Sequence, residues 1–510
     1  MTFKAMRWGG VIRLILVMAA FAGQGEAQTH SELWGEEGER WEPSGRLPDF
    51  SRAGYHGGDR DLPDVPVSAN VKAFGAVGDG VADDTAAFVA AIEATDRDAI
   101  LIPEGVYVVT ATLKIRKPNV VLRGEGPDRT VLRFPKSLQQ LLPSDGFTAL
   151  GVSKLKYSFG GAFIEVRGNA GLEEIGRVVE VSERGSRILR CDTVRALAPG
   201  DWIQLRTRLN PDLGRHLHAG REAGKDTLSR PRWLETVAKV VEIEGDRMTL
   251  DRPLRLDVRP EWSPIVHKYQ PTVQEVGIEH FAFEFPGVAK KKHLLEEGFN
   301  AIQFGDVANS WVRNVRFVDA DMGVKFGGAK FCQAENLVFE ERKRTGRTGH
   351  HAIWVTGQSQ ACLFQDFRLE TTYVHDLSLE GFAHGNVFRR GSGRSINLDH
   401  HRNGPYENLF TDLDIGDPRR LWASGGRGDR GPNSAARTTV WNLRHEGGAI
   451  TLPRRFEKRF PMANVVGVPG YTDRESGSVW IESSAEPVVP ADLYEAQRRR
   501  RMLPSASSGD

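Results

Sequence analysis

Short apolar runs broken by glycine, proline and asparagine dominate the chain from about residue 68 onward, and few are long enough to be helices. Ala99-Ile100-Leu101-Ile102, Leu113-Lys114-Ile115 and Val120-Val121-Leu122 read as strands between turns. One amphipathic helix precedes them, with Asp84 placed as its N-cap and Phe88 and Ile92 on one face of Thr85 to Ala94. From about residue 275 the pattern becomes periodic. Asn314-Val315-Arg316-Phe317, Asn336-Leu337-Val338-Phe339, Asp366-Phe367-Arg368-Leu369, Asn386-Val387-Phe388-Arg389 and Asn408-Leu409-Phe410-Thr411 recur at spacings of 22, 30, 20 and 22 residues. The long interval holds a loop from Arg342 to His351. Such a period suits a parallel β-helix whose coils stack about 4.8 Å apart, with Asn side chains bonded along the axis. Cys332 and Cys362 lie four residues before successive ladder positions, so they should be neighbours, as buried thiols or as a disulfide.

Alternation within each coil separates an inner from an outer face. The pairs Ile302/Phe304, Val324/Phe326, Ile353/Val355, Leu377/Leu379 and Ile396/Leu398 are assigned inward. One outward column then reads Gln303, Lys325, Trp354, Ser378, Asn397, and the next Gly305, Gly327, Thr356, Glu380, Asp399. This places Glu380 and Asp399 on adjacent coils, roughly 5 Å apart at the backbone. Two carboxylates that close split their pKa values, which suits an acid beside a base or nucleophile.

A resemblance to a known family rests on four elements: the run Phe74 to Asp84, the helix after it, Pro103-Glu104-Gly105-Val106-Tyr107, and Gly124-Glu125-Gly126. Together they resemble the opening of the pectate-lyase superfamily domain, strongly over residues 68–135 and by repeat character alone after 275. The resemblance implies an all-β, right-handed parallel β-helix with an N-terminal capping helix. It does not fix the reaction, because this fold hosts several chemistries. No polygalacturonase-style Asn-Thr-Asp, Asp-Asp and Gly-His-Gly set is present, so that hydrolase chemistry does not transfer residue by residue.

Other features refine the organisation. Lys4, Arg7 and Arg13, an apolar run from Leu14 to Ala22 and small residues near Ala27 predict a signal peptide over 1–27 and a secreted or periplasmic protein. An irregular leader is expected over 28–67, and the N-terminal cap with the first coils over 68–135. A β-rich insertion follows over 136–270, with a basic and aromatic tip from Arg215 to Trp233, readable as a lid or substrate lobe. The main β-helix is assigned to 271–486. Residues 487–510 read as a helix docking on the end of the solenoid and a disordered tail.

The 68 basic and 67 acidic residues balance to a net charge of +1, so bulk charge points neither to nucleic acid nor to a membrane. Local chemistry is richer. The chain has 14 histidines, and His350, His351, His375, His384, His400 and His401 crowd one stretch around Glu380, Asp376 and Asp399. Candidate catalytic residues are Glu380, Asp399, His400, His401, His384 and Lys325, with imidazoles as proton shuttles. Candidate substrate-binding residues are Trp354, His351, Asp376, Arg390, Arg394 and Arg402, guanidinium groups being suited to carboxylates and sulfates. Trp354, Tyr373, Tyr406 and Trp422 offer faces for sugar rings. The expectation is β-elimination on an acidic polysaccharide. The alternatives are hydrolysis by the Glu380/Asp399 pair and a non-catalytic glycan-binding β-helix. No metal site or cofactor is marked, although a divalent ion such as calcium is compatible. The partner expected is a polysaccharide, with the chain a monomer or homotrimer.

Overall fold

Inward phenylalanines set the spacing of the coils. In the computed structural model Phe317 and Phe339 stack 4.8 Å apart, Phe364 and Phe388 4.8 Å, Phe388 and Phe410 5.0 Å, and Phe304 and Phe326 5.0 Å. These distances match the separation of hydrogen-bonded strands, so each ring sits on its equivalent in the next coil. The structure describes residues 29–148, 151–229, 232–288, 293–342, 349–447, 450–469, 478–484 and 486–503. The expected signal peptide, most of the loop between Arg342 and His351, and the tail after Pro504 lie outside the described residues.

The fold is a right-handed parallel β-helix. Its largest sheet has 17 strands and includes Gly277–Glu284, Trp311–Val318, Gln333–Glu340, Leu409–Asp414 and Thr439–Arg444, paired in parallel. His280, Asn314, Asn336, Asp366, Arg390, Asp412 and Asn442 all take positive φ, between 48° and 63°. This left-handed corner interrupts the strands and turns the chain from one wall to the next, a conformation Asn and Asp tolerate best. The repeat in the sequence therefore joins two columns. Asn314, Asn336 and Asp366 belong to the corner, whereas Asn386 and Asn408 precede Val387 and Leu409, which follow Leu363 in one column: Val387 pairs with Leu363 and Leu409 with Val387. Stacked Asn side chains do run along that second column: Asn386 donates through Nδ2 to Asn408 Oδ1 at 2.9 Å and accepts from the Cys362 backbone at 3.0 Å. Cys332 and Cys362 are adjacent, buried and free, and burial pushes the Cys332 thiol pKa well up.

The second wall is a seven-stranded parallel sheet: β1 (Leu113–Ile115), β2 (Ile164–Arg167), β3 (Asn300–Gly305), β4 (Met322–Gly327), β5 (His351–Thr356), β6 (His375–Leu379) and β7 (Leu398–His400). The helix Thr85–Ala94 buries Phe88 and Ile92 as predicted. Asp84 does not cap it; its carboxylate instead accepts from Val77 and Gly78, while Asp83 accepts from the Thr85 backbone at 3.1 Å. The helix Leu493–Met502 lies on the side of the solenoid and not on its end. Leu493 and Tyr494 pack with Trp34 and Phe50 of the leader against the outward residues Leu363, Val387, Leu409 and Trp441. Among the described residues no helix is long and apolar enough to cross a membrane.

Between β2 and β3 a six-stranded antiparallel sheet, spanning Leu172–Arg177 to Ile265–Tyr269, carries its own core of Leu189, Ile203, Val240 and Met248. Its main polar anchor is Glu407, whose side chain is 1% exposed. Arg184 and Arg255 of the insertion and Arg437 of the solenoid reach it at 2.7, 3.1 and 2.7 Å. Burial alone would raise the Glu407 pKa, but Arg184, Arg437 and Arg255 outweigh it and hold the carboxyl at about 2.

Two expectations follow from these buried groups. Glu407→Ala strands three guanidinium groups at the junction and is expected to cost about 3–5 kcal/mol in urea unfolding; a loss below about 1 kcal/mol would show the anchor to be unimportant. His384, stacked on Tyr406 at 4.7 Å, and His218 are fully buried, and desolvation lowers their pKa values from 6.5 to about 3 and about 4. The unfolded chain binds these protons below pH 6.5 and the native chain does not. Stability is thus complete above pH 6.5 and falls as the pH drops toward those values. At pH 4.5 each should cost about 2–3 kcal/mol relative to pH 7. His384→Gln is expected to remove one such share from the pH dependence of the urea midpoint, and an unchanged dependence would contradict the assignment.

Candidate functional site

The outward positions of the seven-stranded sheet carry the chemistry. Backbone pairing sets Gln303, Lys325, Trp354, Ser378 and Asp399 in one column. The last coil is therefore displaced by two residues from the sequence-derived alignment: Asp399, not Asn397, is the partner of Ser378. His400 takes the inward place that the sequence reading assigned to Leu398, and Glu380 lies opposite His401, because Leu379 pairs with His400. Glu380 and Asp399 do share the outer face, but they are not paired neighbours.

Asp399 is fully buried and organises this wall. Its Oδ2 accepts from Ser378 Oγ at 2.5 Å and lies 3.0 Å from His401 Nδ1 and 3.1 Å from His375 Nδ1. Its Oδ1 accepts from the Gly425 backbone at 2.6 Å. Gly425 has to be glycine, since a Cβ there would stand 2.4 Å from the His401 ring and 2.8 Å from His375. Burial alone would raise the Asp399 pKa, but His375 and His401 outweigh it and hold the carboxyl far below the usual range. The same contact works in reverse on His401. Burial disfavours its cation, yet Asp399 more than compensates and raises its pKa. With Nδ1 turned to Asp399, the second ring nitrogen of His401 is the one available to a substrate.

Histidines continue along the wall. Ring centroids lie 4.8 Å apart for His375 and His401, 4.9 Å for His351 and His375, 4.3 Å for His350 and His351, and 4.9 Å for His293 and His350. Burial, then the neighbouring His350, His375 and His401, push the His351 pKa well down, so it stays neutral. His350 Nδ1 is 3.0 Å from the Ser158 carbonyl oxygen, and Ser158 Oγ donates to Glu296 at 2.6 Å. Donor atoms of His293, His350 and His375, and separately of His375, Asp399 and His401, lie within 4.8 Å of one another. The four histidines line a cleft of about 760 Å³ with Phe159, Trp354 and Glu380, and Asp399 is buried beneath it. Lys154, Arg427 and Arg430 add three cations, against one carboxylate on the lining among the described residues. The Arg430 guanidinium meets Glu380 at 2.6 Å and Asp226 at 3.4 Å, and Thr227 Oγ1 donates to the Arg430 carbonyl at 3.0 Å. The insertion tip thus braces the loop that supplies the cationic rim.

Several sequence candidates fall elsewhere. His400 points into the core against Phe410 and Phe460, where burial lowers its pKa to about 4, and His384 is buried against Tyr406. Lys325 does not line the cleft: its ammonium donates to the Phe159 carbonyl at 2.8 Å and sits 4.0 Å over the Trp354 ring, and burial lowers its pKa to about 8. His351 stacks on Trp354 at 4.4 Å and 9°, and Lys325 sits over the same ring, so the Trp354 face is engaged within the protein. Tyr373, Tyr406 and Trp422 are core residues. Asp376 accepts from the Tyr373 and Asn397 backbones and closes a turn. Arg390 pairs with Asp366 on the other wall, Arg394 is exposed away from the cleft, and Arg402 holds the Gly426 and Gly431 carbonyls behind the rim. The cleft keeps His351, Trp354, Glu380 and His401, with Asp399 beneath them. His293, Lys154 and Phe159 were not singled out in the sequence, because each stands alone on a connection between coils with no periodic signal.

Residues 68–152 match the family described as rhamnogalacturonase A/epimerase, pectate lyase-like. No curated protein matches the chain. Among solved structures, the tailspike gp61 of Pseudomonas phage phi297 is 12% identical, with 80% of this chain and 75% of that one covered and a TM-score of 0.42. The Gp54 tailspike of Acinetobacter baumannii bacteriophage AP22, solved with a capsular saccharide, is 10% identical over 82% and 66%, at a TM-score of 0.43. The A-module of the Azotobacter vinelandii mannuronan C-5 epimerase AlgE6 is 12% identical over 82% and 96%, at 0.39. The chain is thus similar over its N-terminal coils to the pectate-lyase-like family, and its β-helical fold stands on its own strand pairing.

Proposed function

We propose that the protein is a polysaccharide lyase that cleaves a uronate-containing glycan by β-elimination in this cleft. One observation carries the reading: the Asp399–His401 contact at 3.0 Å stands beside a cationic rim on the flank of an elongated solenoid. Elimination needs a base near the carbon that bears the uronate carboxylate and positive charge to stabilise the developing enolate. His401, held by Asp399 and raised in pKa, is the base; Arg430, with Arg427 and Lys154, faces the carboxylate. The proton on C5 passes to His401, its electron pair forms the C4–C5 double bond, and the C4–O bond breaks. The departing oxygen takes a proton from solvent. Phe159, 42% exposed at the cleft, offers a face to a sugar ring.

Hydrolysis by a carboxylate pair finds less support in the geometry. Asp399 has no exposed surface and is committed to four partners, so it cannot serve as one member of such a pair. Secretion, directed by the expected signal peptide, would bring such an enzyme to its polymer.

Incubation with polygalacturonate, alginate and glycosaminoglycans should raise ultraviolet absorbance in the unsaturated-uronate band on at least one of them. His401→Ala is expected to lower that rate by roughly 10²–10⁴-fold, and Arg430→Ala to raise KM as well as lower kcat. New reducing ends without absorbance would replace elimination by hydrolysis. Binding without either product would leave a glycan-binding module.

A further inference from the structure

The aromatic tip of the insertion forms one side of a second depression beside the cleft. Its volume is about 410 Å³, and Trp233, Glu235, Thr356, Gln358 and Asn403 line it together with Glu380, which lines the cleft as well. We propose that this depression binds a neutral sugar residue next to the uronate, so that the substrate is a heteropolysaccharide in which uronates and neutral sugars adjoin.

Backbone bonding fixes where the insertion stands. In the strand Trp233–Glu244 alternation puts Trp233, Glu235 and Val237 on one face, and Val237 is buried with Phe331 and Ala361 of the solenoid. Two solenoid glutamines hold the strand there. Gln358 Oε1 accepts from the Glu235 backbone at 2.8 Å, and Gln360 Oε1 from the Val237 backbone at 2.7 Å. Trp233 and Glu235 are thereby set beside the coil corner that follows β5 and β6. That corner carries no side chain at two successive levels. Gly357 and Gly381 hold equivalent places in adjacent coils, with φ of 58° and 61°, and a Cβ on Gly381 would stand 3.1 Å from the Gly357 nitrogen and from the Thr356 hydroxyl.

The lining differs in charge from that of the cleft. Among the described residues the cleft has three cations, Lys154, Arg427 and Arg430, against one carboxylate, whereas the depression has two carboxylates and one cation, Arg232. Arg206 lies 3.4 Å from Glu235 and Arg430 2.6 Å from Glu380, which brings the surroundings close to neutrality. A second uronate therefore finds no surplus of positive charge like that of the rim. The amides of Gln358 and Asn403, the Thr356 hydroxyl and the carboxylates are groups that bond sugar hydroxyls. Trp233, half-buried, adds an indole that the Arg206 guanidinium holds from 4.9 Å over its ring. An aromatic side chain with a few convergent polar groups, in a hollow within the range of about 300–1,000 Å³, is the makeup of a small-ligand site.

Only the uronate in the cleft rests on the lyase reading; sugar binding at Trp233 does not. The full chain is tested on two uronate-only polymers, polygalacturonate and alginate, and on three in which uronate adjoins neutral sugars: hyaluronan, unsulfated chondroitin and gellan. Elimination is followed by absorbance and binding by retardation in gels that contain the polymer. The expected result is a kcat/KM at least about tenfold higher on one mixed polymer than on either uronate-only polymer. On that polymer Trp233→Ala should raise KM about 3–10-fold with kcat within about twofold, and Trp233→Phe should restore most of the loss. Where Trp233→Ala fails to fold by circular dichroism, Glu235→Gln, which keeps the size of the side chain, decides: it should raise KM about threefold. Equal or better turnover of a uronate-only polymer, or a KM unmoved in the folded variants, overturns the depression and leaves the lyase reading in place. Retardation by a mixed polymer that Trp233→Ala abolishes, without elimination on any polymer, upholds the depression and removes the lyase reading. Neither elimination nor binding overturns both.

Discussion

Parallel coils can be added only where each strand lays its hydrogen-bonding edge on the one before, and that requirement fixes every other distance in the molecule. Once Phe317 stands on Phe339 and Phe364 on Phe388 and Phe410, the outward residues of successive coils are brought to strand spacing whatever their chemistry. Trp354, Ser378 and Asp399, widely separated in the chain, become neighbours for this reason alone. The wall that carries the site ends at Leu398–His400 and runs back from there over six further strands.

Two buried carboxylates use this scaffold in different ways. Glu407 gathers three arginines and joins the inserted sheet to the coils, its charge met by guanidinium groups from both. Asp399 gathers a serine, a backbone amide and two histidines, and so sets imidazoles at the floor of a cleft. The inserted sheet connects the two, since it is anchored at Glu407 while its tip, through Asp226 and Thr227, supports the loop that presents Arg427 and Arg430.

The architecture was readable because it is written in repetition: turn residues at a period just over 20, and apolar alternation between them. Register was harder. The inward pair Leu398/His400 contains a histidine where the repeat asks for an apolar residue, so the pattern favoured Ile396/Leu398 and moved Asp399 into the column of Glu380. Asn386 and Asn408 were aligned with Asn314 for a similar reason, one residue type serving both a left-handed corner and a side-chain ladder. The crowding of histidines marked the correct wall, yet composition could not separate His401 in the cleft from His400 in the core, one residue apart and facing opposite ways. His293 and Phe159 reach the site from connections between coils, and only folding brings them there.

The most direct test of the claim that this histidine wall is the reaction centre is a crystal structure of the His401→Ala variant soaked with an oligouronate. The account predicts a sugar carboxylate against Arg430, with its C5 facing the space vacated by the imidazole. An oligosaccharide bound along the other wall of the solenoid or on the inserted sheet, with the cleft empty, would contradict it.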